Sequence, residues 1–152
     1  MASFLSSEIQ VGPSVLGNSF YRADLEFHGV GHSGPSFQAR IFFNNPEASA
    51  SSELTQASGY VGSFYVFGHG GCFGQSGHCE VPEQPRQLFD LRPPHQLTPT
   101  KMWITVTEPL RRVSEAPGTL IVKVVPVRRR GRSILPAEEL LDIKTVSIVT
   151  YS

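Results

Sequence analysis

The chain has 152 residues, and thirteen Lys and Arg against thirteen Asp and Glu give it a formal charge of zero at neutral pH. That balance excludes recognition of nucleic acid or acidic lipid by bulk charge, and no stretch nears the roughly 18 apolar residues of a membrane span. Fourteen glycines and twelve prolines, about 17 per cent of the chain against an ordinary ~12, disfavour long helices and favour many turns.

The length suits one domain whose core needs neither metal nor disulfide to hold it. The start, Met1 to Leu5, lacks a basic region followed by a long apolar run, so a soluble chain without an export signal is expected. Two cysteines are too few for a disulfide-rich secreted scaffold and fit a reduced compartment equally well, which leaves localisation open.

Residues 1–18 read as an N-terminal segment with an edge strand around Ser7 to Val11, ended by Gly12-Pro13. From 19 to 152 the pattern is that of a β-sandwich domain. Ala23, Leu25 and Phe27 alternate with Asp24, Glu26 and His28, a period of two that marks a strand. Gly31, Gly34 and Pro35 mark a turn, and Phe37, Ala39, Ile41 and Phe43 alternate again, so the two strands are expected to form a hairpin. Asn44-Asn45-Pro46 stops the second strand, and the small polar stretch to Ser58 reads as an exposed connection with little to bury.

Tyr60 to Phe67 is a third strand, rich in aromatic residues. It runs into Gly68-His69-Gly70-Gly71-Cys72-Phe73-Gly74-Gln75-Ser76-Gly77-His78-Cys79, which holds both cysteines and two of the five histidines. The proline-rich segment from Glu80 to Thr100 excludes helix and central strand, with Leu88, Phe89 and Leu91 expected to anchor it in the core. Lys101 to Thr107 is a strand holding Trp103 and ended by Glu108-Pro109; Leu120 to Val127 is a buried strand; and Arg128 to Arg132 form a solvated basic hairpin tip. Pro136 to Leu141 fits one helical turn, and Ile143 to Tyr151 a last strand. Together these predict an all-β, single-domain antiparallel β-sandwich or small barrel of six to seven strands with long Gly/Pro-rich loops.

The glycine-rich loop concentrates the chemistry. His69, Cys72, His78 and Cys79 pair imidazoles with thiols, a donor set that suits zinc or copper. The same cysteines could instead close a Cys72 to Cys79 disulfide, worth roughly 2–3 kcal/mol for so short a ring, or stay as free thiols. His28 and His32 lie at a strand end and turn, where they read as surface or hydrogen-bonded histidines. Asp24 and Glu26 share a polar strand face and are assigned no acid or base role. No nucleophile elbow, phosphate loop or H-E-x-x-H helix is present, so an enzyme acting alone is not expected.

The strings YRADLEFHGV from Tyr21, RIFFNNP from Arg40, GSFYVFGHG from Gly62 and VSIVTY from Val146 resemble the β-sandwich region that follows the catalytic domain in tyrosinase-type proteins. That region is similar in role to the C-terminal sandwich of molluscan hemocyanins. A type-3 copper centre needs two sets of three histidines, and five in the whole chain cannot build one. The resemblance therefore implies a non-catalytic accessory domain that covers or assists the copper site of an oxidase-type partner domain. It makes Phe73 a candidate shield and Cys72 with Cys79 candidate transient copper ligands. Two other readings stay open: a stand-alone zinc or copper protein using the loop, and a self-assembling structural protein.

Overall fold

The computed structural model describes residues 4–17, 19–32, 34–69, 88–89, 99–130, 133–137 and 140–152. The protein is all-β: three antiparallel sheets pack together and none closes into a barrel. The described residues form ten strands: β1 (Phe4–Leu5), β2 (Ile9–Val11), β3 (Arg22–Val30), β4 (Phe37–Phe43), β5 (Tyr60–Val66), β6 (Thr100–Thr105), β7 (Gly118–Leu120), β8 (Val122–Arg130), β9 (Ser133–Pro136) and β10 (Thr145–Tyr151). Two short helices accompany them, α1 (Pro13–Leu16) and α2 (Thr107–Val113). Six of the expected strands are the longer ones here and the expected N-terminal edge strand is β2; the surplus, β1, β7 and β9, is short pieces of two to four residues, too brief to show an alternation.

The largest sheet runs β1-β8-β4-β5, with β9 also paired to β8; the second runs β10-β3-β6; β2 and β7 form a small third. β3 and β4 are consecutive and both strongly alternating, yet they belong to different sheets, which corrects the expected hairpin. The turn residues between them serve a crossover from one layer to the other. β3 pairs instead with β10 along its length, from Thr145 opposite His28 to Tyr151 opposite Arg22. β4 sits between β5 and β8, with Ala39 opposite both Phe64 and Pro126.

Alternation decides which side chains enter the core. Ala23, Leu25 and Phe27 of β3 and Ala39, Ile41 and Phe43 of β4 are buried together with Val122 and Val124 of β8. Phe27 joins the layers directly, its ring centroid 5.0 Å from that of Phe64 at a tilted angle. Leu110 of α2 is fully buried in the same cluster. Pro109 lies in the first turn of α2, where a missing N–H costs nothing, so the Glu108-Pro109 pair opens a helix rather than merely ending a strand.

The opposite face of the large sheet is not bare. Phe42, Val125 and Val127 form a second cluster with Ala48, which the connection after β4 lays over them. That connection was expected to bury little; its small side chains are what let it lie flat on the sheet. Arg40, only 4 % exposed, lies on this face and donates from Nη1 to the Ala50 carbonyl at 3.1 Å, while its Nε has no hydrogen-bond partner among the described residues. Leu88 and Phe89 are each 89 % exposed and do not anchor the proline-rich segment, because strand side chains already fill the core. Leu91 lies outside the described residues. No helix among the described residues is long and apolar enough to cross a membrane.

Candidate functional site

The C-terminal end of β3 is bent by a bulge. Gly29 has φ +66°, and the register against β6 shifts between Phe27 and Val30. A Cβ at Gly29 would lie 2.6 Å from Lys144 Cγ, so this position needs glycine for space as well as for backbone angle. Beyond the bulge, Lys144 N donates to the His28 carbonyl at 3.0 Å and Gly31 N to the Asp142 carbonyl at 2.9 Å. The chain thus leaves the sheet tied to the segment before β10, and His32 follows.

The exit from β5 approaches from the other layer. Phe37 pairs with Val66 at the end of the ladder, and Gly68 N donates to Ser36 Oγ at 3.0 Å. A Cβ on Gly68 would collide with the Gly34 carbonyl oxygen and stand 2.7 Å from that of Pro35. Only glycine allows the two backbones to come this close. One residue on, His69 N donates to the His32 carbonyl at 3.0 Å. Two backbone contacts therefore place a histidine from each layer side by side.

The side chains complete the arrangement. His32 Nδ1 and His69 Nδ1 are 3.2 Å apart, with ring centroids 5.1 Å apart and planes at 63°. His69 Nδ1 also lies 3.4 Å from the His32 carbonyl oxygen. Both residues are half-buried. In the neutral pair one ring donates its Nδ1–H and the other accepts, so at most one proton lies between the two nitrogens. Asp142 packs its side chain against Gly31, the residue before His32.

His69 was a sequence candidate and His32 was not. The H-x3-H spacing joins His32 to His28, but the structure separates them: His28 Nε2 is 2.8 Å from Ser147 Oγ on β10 and 3.7 Å from Glu26 Oε2. The signal for His32 lay in the glycines on both segments, Gly31 and Gly34 on one and Gly68 on the other, which mark where backbones touch. Cys72, Phe73, His78 and Cys79 lie outside the described residues, as does the proposed Cys72 to Cys79 pairing. Among the described residues, no three His, Cys, Asp or Glu side chains gather as a metal-ligand group.

A second polar cluster sits at the other end of β3. Asp24, 2 % exposed, accepts from Arg22 Nε at 3.0 Å and from Thr105 Oγ1 at 2.9 Å, with Arg22 Nη2 2.7 Å from its second oxygen. The Arg22 hydrogen bond holds the Asp24 carboxyl below its usual range, against the opposing effect of burial, with Thr105 adding to the lowering. The guanidinium in turn lies 5.4 Å from the centroid of the Tyr151 ring. Arg22 and Asp24 pair along β3, Thr105 joins them from β6 and the Tyr151 ring from β10, which makes the cluster a structural tie between the three strands.

Compared with protein family models, curated proteins and solved structures, the chain matches none.

Proposed function

We propose that this chain is a non-catalytic β-sandwich accessory domain whose working edge is the end where β5 hands the chain to the glycine-rich loop. The resemblance to the domain attached to type-3 copper proteins suggests the partner, an oxidase-type domain whose copper site this edge covers or assists. The observation that carries the reading is the convergence at that edge. Tyr65 and Phe67 stand exposed, Phe67 at 82 %, immediately before His69 meets His32. Among the described residues β5 is also the edge strand of its sheet. Apolar side chains beside ligand-type side chains on an open edge suit docking over a metal site.

The test is an assay of the purified chain with added copper and a catechol, read with light scattering. The reading predicts a monomer that oxidises catechol no faster than free copper does. Enzyme-like turnover would overturn it, and a stable homo-oligomer that buries β5 would replace it with self-assembly.

A further inference from the structure

We propose that His32 and His69 form a ligand pair for one divalent cation of the zinc or copper class, each binding through Nδ1. The inference rests on the geometry of the pair and stands whether or not the chain serves an oxidase. Two imidazole nitrogens each about 2.0–2.1 Å from a tetrahedral zinc ion lie roughly 3.3 Å apart. The observed 3.2 Å matches that separation, so one cation fits both nitrogens once the rings turn to aim their lone pairs at it.

The backbone supports the same assignment. Pre-organised ligands bind more tightly than mobile ones because their freedom is lost on folding rather than on binding. The His69 N–H to His32 carbonyl bond and the glycine contact of residue 68 on residues 34 and 35 fix both Cα positions. The pair joins two layers through residues 37 apart in sequence, so it is a product of the fold and not of local spacing.

The tautomers are consistent with this role. When the pair shares a hydrogen bond, one ring carries its proton on Nδ1 and the other on Nε2. For both Nδ1 atoms to bind a cation, the first ring moves its proton to Nε2. The neutral pair then takes up the ion with no net release of protons. Imidazole is a favoured ligand of zinc and copper.

The test is a zinc titration of the full chain in competition with a chromophoric chelator, with melting temperature followed to confirm folding. A lost ligand should cost at least the roughly 10- to 100-fold that loss of an outer-shell partner does. His32→Gln and His69→Gln should each weaken zinc at least tenfold, while His28→Gln leaves it within about twofold, because His28 faces Ser147. A Cys72→Ser/Cys79→Ser double variant that keeps a His32-dependent affinity supports the pair. Absence of zinc binding by the folded wild-type chain overturns the proposal. So does a zinc affinity that survives His32→Gln and disappears only with the cysteines.

Discussion

At the N-terminal end of β3, Asp24 is covered by Arg22, Thr105 and the Tyr151 side of β10, and opposite charges and donors meet acceptors there. At the C-terminal end, past the Gly29 bulge, the same chain brings His32 against His69, two groups of the same kind held nitrogen to nitrogen. The first arrangement completes itself, and removing one member leaves a buried group without its partner. The second sets two ligand-type nitrogens at the separation that one bound cation would give them. The contrast separates a device that holds sheets together from one suited to holding a ligand, and it predicts that stability and metal affinity respond to different substitutions.

Phe27 lies between the two ends and joins the layers, so Phe27→Ala should blur the contrast by damaging both. A loss of about 3–5 kcal/mol is expected in urea unfolding, with zinc affinity falling alongside. Asp24→Asn should damage only the first end. It removes the charge from hydrogen bonds worth about 1.5–3 kcal/mol in such settings and leaves zinc affinity unchanged.

The pH dependence of that loss has a fixed sign. Because the folded Asp24 carboxyl is held below its ordinary value of 3.8, its contribution is complete above that value and disappears as pH falls through the lower, folded one. The stability gap between wild type and Asp24→Asn should therefore be full at about pH 7 and close toward about pH 2. A gap that persists in strong acid would show that packing, not the charge, is at work.

Gly68→Ala should act at the second end. The new Cβ cannot coexist with the Gly34 carbonyl, so the β5 exit must swing away from the turn. Because a strand end can give way locally, about 1 kcal/mol of stability is expected to be lost, with zinc affinity falling as far as in His69→Gln although both histidines remain. His32→Gln completes the contrast with the smallest stability effect, within about 0.5 kcal/mol for a half-buried polar exchange. A much larger loss of stability would make the pair a structural tie like Asp24.

β3 and β4 were legible from their alternation, and β5 and β10 from their richness in strand-forming residues. Their pairing was not, because Gly31, Gly34 and Pro35 signal a change of direction without saying whether the chain returns to the same sheet. α2 was hidden by reading Pro109 as a terminator when its position in the first turn makes it compatible with a helix. Asp24 read as a solvated carboxylate because Thr105 and Tyr151, which cover it together with Arg22, come from β6 and β10, remote in sequence. The same holds at the site: His69 stood out by its neighbours, whereas His32 acquired meaning only through a contact between layers.

The central claim is that the fold, and not the loop's spacing, builds the metal-ligand pair. Anomalous scattering at the zinc edge from crystals grown with one equivalent of zinc tests it most directly. The account predicts one peak between the two rings, about 2.0–2.1 Å from His32 Nδ1 and from His69 Nδ1. A peak bound to Cys72 or Cys79 with the two rings still hydrogen-bonded to each other would contradict it.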